Sequence, residues 1–153
     1  MMRIVPAKKE HSKMISKLML SDLENPDPKF PQEMVCEFRE HAKENSLIKE
    51  FENPRLIAFI ALDNDALAGF IVGYEEDSDM AIIHYITAGK NEIKEGLLKR
   101  FVGECKVRKI NKILADTFEF MNNNDFFKSK RFVLAKKENI ANNLEMLWYE
   151  LEL

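Results

Sequence analysis

Apolar residues recur along the chain with two different periods, and the period changes near residue 56. Between His11 and Leu23 their spacing predicts a helix. A second helix is predicted to begin at Pro31, since proline is favoured in a first helical turn, and a short turn is expected over Ser46–Phe51. Residues 2–6 alternate weakly and fit an edge strand. The first third of the chain is therefore predicted to be one strand followed by helices.

The central third alternates with the period of strands. Leu56–Leu62 and Ala66–Tyr74 read as two strands joined by Asp63-Asn64-Asp65, whose residue types tolerate left-handed backbone. An acidic turn, Glu75–Asp79, then leads to a third strand, Met80–Thr87. These three segments predict an antiparallel meander.

The last third begins with the clearest helix, Asn91 to about Lys106, which has one apolar face and one charged face. The elements predicted after it are a strand, a short helix and two further strands: Lys109–Thr117, Asp125–Lys130, Phe132–Lys137 and Glu145–Leu153. The whole order reads βααβββαβαββ, and no linker or repeat divides it. Residues 1–153 are therefore expected to form one domain.

Composition supports a globular protein, with 46% hydrophobic and 32% charged residues. The longest apolar run, Leu56–Leu62, is far shorter than the ~20 residues that span a bilayer. The first ten residues contain no apolar signal-peptide core. We expect a soluble, cytoplasmic protein that has no membrane partner.

Glycine and the metal-binding residue types exclude several kinds of site. The five glycines all lie between Gly69 and Gly103, and no G-x-G-x-x-G or G-x-x-x-x-G-K-[ST] is present. A Rossmann dinucleotide site and a P-loop are therefore excluded. Two cysteines are too few for a disulfide framework or a Cys-rich zinc site. His11 and His41 lie in separate predicted helices without ligand spacing, so no metal site is expected.

Charge is divided unevenly along the chain. Residues 1–89 carry 10 Lys/Arg against 16 Asp/Glu, whereas residues 90–153 carry 13 against 10. Eight of the basic residues lie between Lys90 and Lys112, with three acids among them. This division indicates an anionic ligand on the C-terminal half, although solvated helix faces give the same pattern. A pI near 5.7 and the scarcity of aromatics between these charges, where Phe101 stands alone, argue against a nucleic-acid partner.

Two segments and the order of elements resemble the GCN5-related N-acetyltransferases, the GNAT family. Ala66-Leu-Ala-Gly-Phe-Ile-Val-Gly-Tyr74 is similar to the third strand of that family, and Asp125-Phe-Phe-Lys-Ser-Lys-Arg-Phe132 is similar to its "LYEKLGF" passage. The resemblance implies an α/β (α+β) fold: a mixed, mostly antiparallel central sheet of about six to seven strands, flanked by about four helices. It also implies acetyl-CoA (coenzyme A) as the acyl donor, with no metal.

The resemblance implies a cofactor site that departs from the family pattern. In members of the family, backbone N–H groups of the loop before the helix hold the pyrophosphate of coenzyme A, and this loop carries the signature Q or R-x-x-G-x-G or A. The corresponding segment here, Ala88–Gly96, lacks that signature. Phe127 stands where many members have a tyrosine that protonates the leaving thiolate. The residues implied as cofactor contacts are Ile86, Thr87, Lys90, Asn91, Glu92, Ile93, Lys94, Asn122 and Phe127.

Amine acetylation also needs groups that move protons. His84, in an otherwise apolar strand, is the candidate base, and a hydrogen-bonded core histidine is the alternative. Glu75, with Glu76, could accept a proton through water or attract a cationic amine, and a plain polar turn is the alternative. With Phe127 in the usual acid position, the donor would be Tyr85, Tyr149 or water. Alternation along a strand predicts that His84 and Tyr85 cannot both face the cleft.

These observations predict an acetyl-CoA-dependent N-acetyltransferase acting on a primary amine of a small or peptidic acceptor. The acidic N-terminal half favours a cationic acceptor. A catalytically impaired acyl-CoA-binding sensor or interaction module is the alternative, and a basic nucleic-acid adaptor is a more distant one. A homodimer is left open.

Overall fold

A seven-stranded sheet with helices on both faces organises the computed structural model, which describes residues 1–77, 79–118, 123–141 and 144–153. The strands are β1 Met2–Pro6, β2 Leu56–Asp63, β3 Ala66–Asp77, β4 Met80–Ala88, β5 Lys112–Phe118, β6 Val133–Ala141 and β7 Leu144–Glu152. The helices are α1 Ser12–Asp22, α2 Gln32–His41, α3 Glu44–Glu50, α4 Asn91–Val107 and α5 Asn123–Ser129.

The order of strands across the sheet is β1-β2-β3-β4-β5-β7-β6, and the β4–β5 pair is parallel whereas the other pairs are antiparallel. The predicted α+β class and order of elements are confirmed. The structure adds α3, a full helix where a short turn was expected, so that five α-helices are described.

Each face of the sheet carries its own buried cluster. The larger one lies under α4 and α5, on what we call the α4 face, and includes Ile71, Ile83, Phe101, Ile113 and Tyr149. The smaller one lies under α1 and α3, on what we call the α1 face, and includes Ile15, Leu47, Ile60 and Phe70. Because strand residues alternate between these clusters, both helix layers are attached to one central sheet.

Two of the glycines let α4 approach the sheet closely. A Cβ at Gly73 would lie 2.2 Å from the Ile82 carbonyl oxygen and 2.7 Å from the Phe101 ring. A Cβ at Gly96 would lie 2.6 Å from Ile4. Packing of α4 therefore explains part of the confinement of glycine to the middle of the sequence, without any role in phosphate binding.

The local turns follow the sequence at one hairpin and depart from it after α4. Asn64 and Asp65 have φ values of 50° and 71°, as predicted for the turn between β2 and β3. The strand predicted from Lys109 begins at Lys112 instead. Lys109 takes a φ of 64°, and the N–H of Ile110 donates to the carbonyl of Cys105 at 2.8 Å. The chain therefore closes the end of α4 before it enters the sheet.

No helix among the described residues combines the length and apolarity needed to cross a membrane.

Candidate active site

The sheet opens between its two parallel strands. β4 and β5 pair only from Met80↔Lys112 to Ile83↔Ala115. Beyond this point β4 continues to Ala88 paired with β3 alone, and β5 continues to Phe118 paired with β7 alone. The backbone edges that face each other across this gap thus have no ladder partner there, a feature that would be costly if nothing else bonded to them. We call the gap the β4–β5 cleft.

A bulge in β4 lies at the start of this cleft. Val72 pairs with Tyr85 and Gly73 pairs with Ile83, so His84 is the extra residue in β4. The His84 ring lies 5.4 Å from that of Tyr74, a residue on the same face of β3 as Val72, and Tyr85 packs with Val72 in the α1-face cluster. The prediction that His84 and Tyr85 must face opposite sides is therefore wrong, because the bulge interrupts the alternation.

His84 is exposed on the α1 face, so the alternative of a core histidine does not hold. Across the cleft from it lies Asp116, the residue that follows the last paired position of β5. Burial raises the pKa of Asp116, and the nearby His84 lowers it in part. Asp116 was not among the predicted site residues. Its signal was present, since it is an acid inside the apolar strand sequence Ile-Leu-Ala-Asp-Thr-Phe.

Tyr85 connects the cleft to α1. Its hydroxyl donates a short hydrogen bond to Asp22, the last residue of α1. Burial and the Asp22 carboxylate raise the pKa of Tyr85 far above its usual value. Asp22 is exposed and is another acid that the sequence pattern did not single out.

The N-terminus of α4 lies at the end of β4. Its N-cap, Lys90, makes no side-chain cap, so the first-turn N–H groups of Asn91 and Glu92 are not bonded by that side chain. The N–H groups of Ile93 and Lys94 already bond the Lys90 carbonyl. The Lys94 ammonium donates to Asn123 at 2.8 Å, and burial lowers its pKa. Lys94 thus links the first turn of α4 to the start of α5.

Two predicted site residues, the cofactor contact Phe127 on α5 and the proton donor Tyr149 on β7, are buried. Tyr149 is fully buried on the α4 face, and its hydroxyl donates to Asn124 Oδ1 at 3.1 Å. Burial and the charge of Asp125 raise the pKa of Tyr149. Phe127 is 1% exposed and contacts the rings of Phe132 and Tyr149, so it is a core residue. The predicted contact at Asn122 lies outside the described residues.

Glu75, a predicted proton acceptor, lies away from the β4–β5 cleft, so its position does not support that role. It pairs with Ala81, on the α4 face, and its carboxylate lies 3.3 Å from the Arg108 guanidinium. Arg108 also contacts Glu104 at 3.6 Å and the Leu56 carbonyl at 3.3 Å. Glu75 therefore anchors the C-terminal end of α4. Its partner in β4, Ala81, lies three residues before His84.

In the described part of the chain, neither the potential metal ligands nor the groove at the sheet edge forms a second site. No group of three or more potential metal ligands occurs among the described residues. A groove of about 990 Å³ lies between β1 and α4, away from the β4–β5 cleft. Arg100 crosses it, donating to the Ile4 carbonyl at 2.6 Å and lying 5.0 Å over the Phe59 ring. This groove is a packing crevice at the sheet edge.

Comparison with solved structures identifies the architecture. A GNAT-family acetyltransferase from Bacillus cereus superposes with a TM-score of 0.76 at 13% identity, over 99% of this chain and 97% of that one. The aminoglycoside 6′-N-acetyltransferase from Enterococcus faecium gives 0.78 at 17%, over 98% and 96%. The chain has the GNAT fold. The PaiA N-acetyltransferase from Thermoplasma acidophilum, solved with coenzyme A, gives 0.75 at 14% over 100% and 99%.

Comparison of structures, and not comparison of sequences, finds these similar proteins. No protein-family model matches the sequence, and no curated protein matches it either. At identities of 12–18% the solved structures share the fold but few residues.

The residues present fit an acyl-CoA in this GNAT fold. The cleft offers backbone edges for the amides of a pantetheine arm, and the α4 N-terminus with Lys90 offers positive charge for phosphates. A Cβ built on Gly89 meets nothing within 4 Å, so the space above that loop is open. Against this, Glu92 adds a negative charge in the first turn, and Lys94 would have to leave Asn123 to reach a phosphate.

Proposed function

We propose that the protein is an acetyl-CoA-dependent N-acetyltransferase that acts on a primary amine of a small or peptidic, cationic acceptor. The observation that carries the proposal is the β4–β5 cleft, which has unpaired backbone edges and ends at the uncapped N-terminus of α4. When bound, acetyl-CoA would supply the acetyl group as a thioester. The residues proposed to hold it are Ile86, Thr87, Lys90, Asn91, Glu92, Ile93 and Lys94.

His84 is the proposed general base. It is exposed at the opening of the cleft on the α1 face, the face opposite α4 and its N-terminus. An unprotonated ring nitrogen of His84 would take a proton from the acceptor ammonium and leave a neutral amine. The Asp116 carboxylate, which interacts electrostatically with His84, would stabilise the imidazolium that results.

Tyr149 is the proposed proton donor for the leaving thiolate. Phe127 has no proton to give, whereas the Tyr149 hydroxyl lies on the α4 face next to Phe127. In the free protein this hydroxyl donates to Asn124 Oδ1, a bond that it would have to release to reach the thiolate. Its raised pKa keeps it protonated at neutral pH, as a donor requires.

A cationic acceptor is supported by the acids on the α1 face. Asp22 and Asp116 lie on this face, on either side of the pair formed by His84 and Tyr85. Two carboxylates near the opening would attract an ammonium group and raise its local concentration. Replacing Asp22 by Asn is expected to raise KM for a cationic amine several-fold, with kcat less affected, because Asp22 is exposed at the rim.

The test is a thiol-release assay with acetyl-CoA and a panel of neutral and cationic amines. We expect turnover that falls about 10²- to 10⁴-fold in His84→Ala. His41→Ala is the matched control, because His41 is an exposed histidine on α2. Unchanged turnover in His84→Ala would remove His84 as the base.

A CoA-binding sensor without catalysis is the second candidate, and the burial of Phe127 supports it, since this position offers the cleft no acid. Calorimetric binding of CoA without turnover across the panel would favour this reading. An absence of both binding heat and thermal stabilisation at millimolar acetyl-CoA would exclude both readings.

A further inference from the structure

One buried hydroxyl near the β4–β5 cleft has no partner. Thr117 is 4% exposed, and among the described residues its Oγ1 is the buried side-chain atom that lacks a hydrogen bond. A hydroxyl in this position has lost its bonds to water without gaining any from the protein, which destabilises the folded state. Buried polar groups without a partner are rare in folded proteins, so the position of this hydroxyl calls for an explanation.

The position of Thr117 relates it to the cleft. It is the second residue of β5 after the last β4–β5 pair, so β4 no longer covers that edge of the strand. On the other edge Thr117 pairs with Leu147, whose side chain belongs to the α4-face core. Since directly opposed residues project to the same face, the Thr117 hydroxyl lies on the side of the cleft that α4 and α5 cover.

Among the described residues, the polar side chains of Tyr149 and Asn124 near this position already have hydrogen-bond partners in the free protein. The Tyr149 hydroxyl donates to Asn124 Oδ1, and Asn124 Nδ2 donates to the Phe118 carbonyl at 2.8 Å. Phe127 contributes no polar atom. Within the described part of the chain, Thr117 is therefore the side chain on the α4 face of the cleft that combines full burial with an unused hydroxyl.

We propose that the Thr117 hydroxyl forms a hydrogen bond with the amide-bearing arm of a bound acyl-CoA, an inference that rests on the proposed function. The arm presents both carbonyl oxygens and N–H groups, and a threonine hydroxyl both donates and accepts, so it matches either. The bond made on binding replaces none in the free protein. The unpaired hydroxyl thus makes binding specific for ligands that carry the arm, because a ligand without the arm leaves the hydroxyl without a hydrogen bond.

Calorimetry on matched variants and ligands tests this inference. Thr117→Val keeps the shape of the side chain and removes the hydroxyl, whereas Thr117→Ser keeps the hydroxyl. The ligands are CoA and adenosine 3′,5′-bisphosphate, which carries phosphates but no arm. We expect Thr117→Val to weaken CoA binding about 5- to 10-fold, a loss of up to ~1.4 kcal/mol, and to leave the bisphosphate affinity unchanged. Thr117→Ser should bind CoA nearly as the wild type does.

The melting temperature of each free variant is the structural control. Thr117→Val should melt at or above the wild-type temperature, because it removes an unsatisfied polar group. Equal CoA affinity in wild type and Thr117→Val, or equal losses for both ligands, would overturn the role of Thr117 and leave the proposed function standing. If the wild type binds the bisphosphate and CoA equally weakly, the arm makes no contact and the inference fails. Failure of the wild type to bind either ligand would overturn the proposed function and this inference together.

Discussion

His84 and Asp116 follow directly on the last paired residues of β4 and β5, and both side chains lie on the α1 face of the sheet. Ile83 pairs with Ala115, the bulge turns His84 toward Tyr74, and Asp116 alternates away from the buried Ala115. A histidine and an aspartate are thereby brought together across the opening of the sheet, although 31 intervening residues separate them along the chain.

This relationship predicts a change in the titration of Asp116. Because His84 lowers the pKa of Asp116, His84→Ala should raise it. A ¹³C NMR titration of the Asp116 carboxyl would measure the change. His41→Ala should leave the titration as it is, since His41 lies on α2 beside Glu37. An unchanged Asp116 pKa in His84→Ala would show that the two groups do not interact.

Burial of Asp116 also predicts how stability depends on pH. Its pKa is raised in the folded protein, so the folded state binds a proton more tightly than the unfolded state. The ionised carboxyl therefore destabilises the fold as the pH rises from the unfolded pKa, about 4, through the folded pKa. Asp116→Asn should raise the melting temperature at pH 7, and the gain should shrink toward pH 4. A gain that grows toward low pH would contradict this assignment.

Two basic residues occupy left-handed positions at the ends of helices. Lys109 and Arg131 have φ values of 64° and 71°, and each is followed by an N–H that bonds a carbonyl five residues earlier. Glycine is the usual residue at this position, because a Cβ is strained there. Lys109→Gly and Arg131→Gly should each stabilise the protein by about 0.5–1 kcal/mol after the entropy cost of glycine.

Thermal or urea unfolding measures this effect, and Lys106→Gly is the matched control. Lys106 lies within α4, where glycine should cost about 1 kcal/mol. Destabilisation of the fold by both end substitutions would show that the strain at Lys109 and Arg131 is small.

Gly73 in β3 and Gly103 in α4 should respond in opposite directions to alanine. Gly73→Ala places a methyl group against the Ile82 carbonyl and Phe101, and we expect a loss of about 2–3 kcal/mol. Gly103→Ala meets nothing within 4 Å and should stabilise α4 by about 0.5–1 kcal/mol. Urea unfolding of the two variants checks the pair, and similar effects from both would mean that α4 does not pack on Gly73 as described.

Periodicity predicted nearly every element because each helix and strand has a strong local pattern. The turn at Asn64-Asp65 was also predictable, since its residues suit left-handed backbone. The left-handed turn that follows α4 was not, because Lys109 carries no local sign that it takes a conformation usually left to glycine. The start of β5 was consequently predicted three residues too early.

The candidate site was predicted in part. His84 stood out as a histidine in an apolar strand, and the structure brings it to the opening of the cleft. Glu75 looked equivalent in sequence, yet its pairing to Arg108 belongs to the end of α4. Asp22 and Thr117 acquire their significance from a contact or a missing contact with residues far away in the chain, which no local pattern encodes. Asp116 had a local signal, an acid in an apolar strand, but its position near His84 depends on the tertiary structure.

The sequence by itself determined the order of helices and strands, the absence of Rossmann and P-loop motifs, and the resemblance to the GNAT fold. The tertiary structure decided where β4 and β5 separate, that His84 and Tyr85 share a face, and which acids meet them. The physical reason is that period and turn chemistry are local properties of the chain. A bulge, a gap between strands and a buried unpaired hydroxyl depend on which distant segments pack together.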